Sequence, residues 1–142
     1  MAIIALDVGS KRIGVAISDP SISYALPLET LERTSLAQDL AAIVRLAESY
    51  GVTELVIGDP IALSGERGLA AAGVDAFVER LRKVFTGTIA REDERLTTAA
   101  ATKTLIAADV SRKRRKRVVD QMAAALILDS YLSRRRRAGN AP

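Results

Sequence analysis

The sequence predicts a single α/β domain: a five-stranded mixed sheet, made of an antiparallel three-strand meander continued by parallel strands, with helices flanking it. Three observations lead there. The chain has 142 residues, 49% of them apolar, which fits one domain with a sizeable core. Two β-branched apolar runs near the start are joined by a very short turn, the signature of a hairpin. Beyond residue 34, helical and strand periodicities alternate, as they do when crossovers link parallel strands.

Residues 2–8 read as the first strand and 12–18 as the second, turned at Gly9-Ser10-Lys11. Residues 24–32 supply a third. Pro27 within it points to an edge, where a missing N–H removes no ladder hydrogen bond. Thr34 or Ser35 is placed to cap a helix in which Leu36, Leu40, Ile43, Val44 and Ala47 recur at helical spacing until Gly51. The run 54–58, ELVIG, suits a strand buried on both faces. A Pro- and Gly-containing loop at 59–68 leads into a helix over 69–85, with Leu69, Ala72, Val74, Phe77, Leu81 and Val84 toward its buried side. Residues 87–93 form a fifth strand, and Thr97 or Thr98 caps a helix over 98–108. After a basic loop, the last helix spans 117–134. The folded domain is thus residues 1–134, with 135–142 as a basic C-terminal tail.

Composition narrows the chemistry. The chain contains neither Cys nor His, so disulfides, thiolate metal sites and histidine general bases are excluded. Catalysis has to run on carboxylates, hydroxyls, Lys, Arg or a bound metal. Charges interrupt every apolar run before it approaches a membrane span, and the N-terminus enters a strand with no basic region or cleavage site ahead of it, so no secretory signal is read. The net charge of +4 conceals a split. Residues 1–111 hold 11 Lys/Arg against 15 Asp/Glu, whereas residues 112–142 hold 10 against 2. Two blocks carry the excess, RKRRKR at 112–117 and RRRR at 134–137. Such blocks are solvated and commonly meet phosphate backbones.

Four acidic stretches are candidates for a shared site. Asp7 ends the first strand, and Gly9, Lys11 and Arg12 follow it. Asp93 and Glu94 end the last strand. Strand alternation sends them to opposite sides, so only one can face Asp7. Asp120 opens an apolar helical stripe through Ala123, Ala124, Ile127, Leu128 and Tyr131. The paired alanines allow that helix to approach the sheet closely. Asp59 leaves the fourth strand, where open α/β sheets line their ligand crevice. Crowded carboxylates repel unless cations bridge them, and oxygen-only ligands suit Mg²⁺ or Mn²⁺. Two such ions about 3.5–4 Å apart serve phosphodiester cleavage without His or Cys. The bland alternatives are a turn aspartate at position 7, an acidic helix start at 93–94, a solvated Asp120 and a surface turn at Asp59.

The stretches LDVGSKRIGVAISD, DERLTT and VVDQMAAALILDSYL, in that order over nearly the whole chain, resemble the YqgF family of pre-16S rRNA nucleases, also described as Holliday-junction-resolvase-like. The resemblance implies an RNase H-like fold and an acidic triad of Asp7, Glu94 and Asp120, with Asp93 as the rival ligand. It also implies a metal-dependent nuclease of the cytoplasm that matures the 5′ end of 16S rRNA. RNA is then the preferred partner and DNA a possible one. Phosphate contacts fall to Lys11, Arg12, Arg95 and the block Arg112, Lys113, Arg114, Arg115, Lys116 and Arg117. One departure stands out. Where the family usually reads Gly-Leu-Pro and later Asp-Gly, this chain reads Gly58-Asp59-Pro60 and then Ser64-Gly65-Glu66. Asp59 either joins the metal ligands or alters substrate contact. Competing readings are a branched-DNA resolvase, an ATP-binding phosphotransfer protein suggested by DVGS, and a non-catalytic RNA-binding assembly factor. The sequence assigns no oligomeric state.

Overall fold

A computed structural model describes residues 2–60, 65–94 and 112–139, the side chains of the last stretch from 118 onward. Strands β1 (Ile3–Val8), β2 (Arg12–Ser18), β3 (Ala25–Glu32), β4 (Glu54–Asp59) and β5 (Thr88–Asp93) form one sheet in the order β3-β2-β1-β4-β5. The described helices are α1 (Leu36–Ser49), α2 (Leu69–Arg82) and α3 (Arg112–Gly139). β1 and β2 pair antiparallel, as do β2 and β3, while β4 joins β1 and β5 in parallel. This is the mixed sheet that the hairpin and the later alternation predict. The predicted helix over 98–108, with Arg95, Thr97 and Thr98, lies outside the described residues.

Local chemistry sets the element ends. Ser35 caps α1, its hydroxyl accepting from the Gln38 N–H at 3.2 Å. Gly51, at φ +64°, ends it. The Gly51 N–H reaches the Glu48 carbonyl at 3.1 Å and the Val52 N–H reaches the Ala47 carbonyl at 2.8 Å, the two bonds of a Schellman stop. β3 is an edge strand, and its register to β2 shifts between Val15 and Ala16, where Pro27 enters the pairing. That placement accommodates the absent N–H of Pro27.

Each strand divides its side chains between two cores. Ile4, Leu6, Ile13, Val15, Leu55 and Ile57 pack under α1 and α2 against Leu40, Ile43, Phe77 and Leu81. Ile3, Ala5, Ala16 and Val56 pack under α3 against Ala124, Ile127, Leu128 and Leu132. The α3 side of the sheet is the smoother one. Its alanines, with Ala123 and Ala124 facing them, let the helix lie close.

Two helices differ from expectation. Leu69 is 94% exposed and Val84 50%, because α2 begins at Leu69 and stops at Arg82, so neither end residue reaches the sheet. Ala72 is exposed as well, and the buried stripe runs instead through Ala71, Val74, Phe77, Val78 and Leu81. The block 112–117, expected as a loop, forms the first turns of α3, and residues 135–139 continue the same helix. Lys and Arg are good helix formers, and three of the last arginines are tied to the body. Arg134 pairs with Glu92, Arg135 with Glu54 at 3.0 Å, and Arg136 donates to the Ser23 carbonyl at 2.7 Å.

Candidate active site

Strand alternation places Asp7 on the α3 side of the sheet, in line with Ile3 and Ala5. Asp7 is only 7% exposed. Opposite Asp7 in the antiparallel register stands Gly14 of β2, so their Cα atoms are about 4.5–5.5 Å apart. The main chain of Asp120 lies directly on Gly14: a Cβ built there would sit 2.0 Å from the Asp120 carbonyl oxygen. On the other side of Asp7, Leu6 pairs with Ile57, and Gly58 follows in step. Glu94 leans back over Gly58, its Oε1 2.7 Å from where a Cβ would be, with Ile127 Cδ1 at 2.6 Å. Two glycines flanking Asp7 thus form the floor on which Asp120 and Glu94 rest. The structure brings these three acidic positions to one face at one end of the sheet.

Cations border this floor. Arg12 Nε donates to Asp120 Oδ2 at 2.9 Å, both side chains being about four-fifths buried. Arg12 is held by a tight turn in which the Gly9 N–H donates to the Arg12 carbonyl at 2.9 Å. Arg33, the residue after β3, clamps that turn: its main-chain N–H donates to the Lys11 carbonyl and its Nη1 to the Gly9 carbonyl, each at 2.9 Å. Arg33 is itself fixed by buried Asp39 at 3.0 Å and lies 5.3 Å over the Phe77 ring. Lys11 is exposed at the tip of the turn. Arg95 lies outside the described residues, and the side chains of Arg112, Lys113, Arg114, Arg115, Lys116 and Arg117 do too.

Asp59 and Asp93 stand elsewhere. They are register partners between β4 and β5, and alternation turns both toward the α1/α2 side. There Asp59 is gripped by Arg67 at 2.8 Å and Arg91 at 2.9 Å, and the same two guanidiniums hold Asp75 of α2. Hydrogen bonds from Arg67 and then Arg91 pull the Asp75 carboxyl below its usual range, and Asp59 with Asp75 raises Arg67. The square ties the loop after β4 to α2 and β5. A cleft of about 640 Å³ lies on that same side, lined in part by Gly9, Arg33, Asp39 and Gly73.

Sequence reasoning passed over Glu92. It is the register partner of Gly58, on the Asp7 side, and is fully buried. Ser130 donates to it at 2.6 Å and Arg134 forks onto both of its oxygens. The Glu92 hydrogen bond raises the Arg134 pKa above its ordinary value. Gly14 and Gly58 were equally unread. A glycine inside a strand signals close backbone approach, and RIGVAIS and ELVIG each carry one.

The donor set fits a hard divalent cation. It consists of carboxylates alone, and the missing Cβ atoms of Gly14 and Gly58 let Asp120 and Glu94 come close to the end of β1. Among the described residues, no group of three or more acids converges on one ion position; Asp120 faces Arg12 instead.

Comparison with known proteins follows the same lines. A family profile described as "RuvX: Holliday junction resolvase" matches residues 1–134. The chain is 46% identical over 140 residues to a protein of Desulforudis audaxviator, covering 99% of both chains, and 48% identical over 134 residues to one of Moorella thermoacetica, covering 94% and 96%. Both are named "Putative pre-16S rRNA nuclease". Its fold resembles that of Thermus thermophilus RuvC bound to a Holliday junction, with a TM-score of 0.61 at 12% identity over 99% and 98% of the chains. It also resembles the fowlpox virus Holliday junction resolvase, with a TM-score of 0.54 at 14% identity over 94% and 99%. With a match spanning residues 1–134 and relatives similar across nearly their whole length, the chain belongs to the RuvX (YqgF) nuclease family.

Proposed function

We propose that this nuclease depends on Mg²⁺ or Mn²⁺ held by Asp7, Glu94 and Asp120, and that its preferred substrate is RNA, in maturation of the 5′ end of pre-16S rRNA in the cytoplasm. One observation carries the reading: the acidic residues of three distant segments rest on a two-glycine floor around the end of β1. The relatives' name favours RNA. Among the described residues, no helix is long and apolar enough to cross a membrane. The description of the family profile supports a second reading, cleavage of branched DNA.

A bound divalent ion supplies the activation of water and the charge that stabilises the leaving oxygen in phosphodiester hydrolysis. The chain's residues do the rest. Asp7 is only 7% exposed, and a bound cation would offset the cost of a carboxylate charge in so dry a position. Gly14 and Gly58, having no Cβ, let Asp120 and Glu94 pack close on either side of that carboxylate. Lys11, Arg12, Arg95 and the block 112–117 hold phosphates, Arg by bidentate contacts and Lys as a point charge. With 3 Tyr, 2 Phe and no Trp in the chain, stacking platforms are scarce. Backbone and shape therefore dominate over base readout.

The test is cleavage of a structured RNA, a single-stranded RNA and a DNA four-way junction, each with Mg²⁺, Mn²⁺ or EDTA. RNA cleavage that EDTA abolishes is expected. Asp7→Asn, Glu94→Gln and Asp120→Asn should each slow it by about 10²-fold or more while nucleic-acid binding persists. Full activity in all three variants refutes the triad. Cleavage confined to the junction selects the second reading.

A further inference from the structure

The pairing of Arg12 with Asp120 adds a function that the acidic residues alone do not. We infer that Arg12 is a positioning residue that competes with the divalent cation for Asp120: it pairs with the carboxylate when no cation is bound and is released toward substrate phosphate when one is. The inference rests on the proposed metal site.

Both partners are anchored at their main chains. The main chain of Asp120 packs closely on Gly14. Arg12 lies two residues before Gly14 on the same strand face, and its turn is fixed by the Gly9 hydrogen bond and the Arg33 clamp. Only side-chain torsions remain to be altered, so an exchange of partners needs no movement of strand or helix. The guanidinium supplies one positive charge beside crowded carboxylates, which is the electrostatic task of a cation. The two cannot share Asp120 comfortably. Arg12 Nε already occupies Oδ2 at 2.9 Å, and a divalent ion on that carboxylate would sit against a like charge. Release then leaves a cation at the mouth of the site, next to exposed Lys11. Cation loading and phosphate affinity are coupled in this way through one side chain.

The experiment is titration of the full chain with Mn²⁺ alone, by calorimetry, without nucleic acid. Arg12→Gln should bind Mn²⁺ about five-fold tighter than the parent, the scale of losing one partly buried ion-pair competitor. Asp120→Asn should bind it more weakly. In the double variant the gain should vanish, because the competition acts through Asp120. Thermal melting checks that each variant folds. If Arg12→Gln does not fold, Arg12→Lys carries the test, with a gain of about two-fold that likewise vanishes beside Asp120→Asn. Two results overturn the inference and leave the metal site standing: Mn²⁺ affinity unchanged or weaker in the Arg12 variant, or an equal gain with and without the Asp120 carboxylate. If neither parent nor variants bind Mn²⁺, the proposed metal site falls and this inference falls with it.

Discussion

Replacing Gly14 with alanine tests how tightly site and fold are joined. The new Cβ would lie 2.0 Å from the Asp120 carbonyl oxygen and 2.4 Å from its carbon. An ordinary C···O contact is about 3.3 Å, so α3 around Asp120 has to retreat by about 1.3 Å. Both atoms in the clash are main chain, and rotating a side chain cannot relieve it. Overpacking of this kind costs about 2–3 kcal/mol. The retreat also carries Asp120 away from Asp7, and a misplacement of about 1 Å at a reacting centre slows chemistry roughly 10²-fold. Urea unfolding followed by circular dichroism reads the first effect, and single-turnover cleavage the second. Gly58→Ala is the internal comparison. Its Cβ would meet the ends of Ile127 and Glu94 side chains at 2.6 and 2.7 Å, which can swing aside. A stability loss of about 1 kcal/mol is expected there, with cleavage still impaired through Glu94. A Gly14→Ala protein with unchanged stability and rate would refute the close approach of α3 to β2.

Asp59→Asn should lower stability by about 1 kcal/mol, the scale of a partly exposed ion-pair network, and leave the divalent-cation dependence of cleavage unaltered; a changed cation requirement would bring Asp59 into the metal site. Arg134→Met leaves the buried Glu92 carboxylate with Ser130 as its remaining named partner, and should cost about 3 kcal/mol in urea unfolding. Glu92→Gln should cost less, because half-exposed Arg134 is rehydrated. Asp19 accepts from Ser21, Ser23 and Tyr24, hydrogen bonds that hold its carboxyl at about 2 against a usual 3.8. The native state thus favours the charged form. The contribution is complete above pH 3.8 and is lost as pH falls through about 2. Asp19→Asn should remove that part of the acid dependence, seen in melting curves taken across the same pH range.

Much of this fold can be read along the chain, since hydrophobic period and turn chemistry act locally. Ser35, Gly51 and Pro27 mark a cap, a stop and an edge, and each performs that role. Longer-range effects were harder to read. The arginines of 134–136 look like a solvated tail in one dimension, yet Glu92, Glu54 and the Ser23 carbonyl capture them, and those partners come from residues 42 to 113 positions away. Glu92 reads as one more acid in REDER, and only the fold shows it buried beneath α3. The candidate site divides in the same way. Alternation along β5 is a local property, so it could tell that Asp93 and Glu94 part company. Which of them lies on the Asp7 side is a property of the fold: Asp93 pairs with Asp59 at the end of β5, whereas Glu94 leans over Gly58. Asp59 illustrates the converse. Its place at a strand end pointed to the crevice, but its side chain leaves on the other face toward Arg67 and Arg91.

The most direct measurement is the anomalous signal of Mn²⁺ diffused into crystals of this protein. The account predicts a peak in contact with the carboxylates of Asp7, Glu94 and Asp120, with the Arg12 guanidinium turned away from Asp120. A peak seated instead between Asp59 and Asp93, on the far face of the sheet, would contradict it.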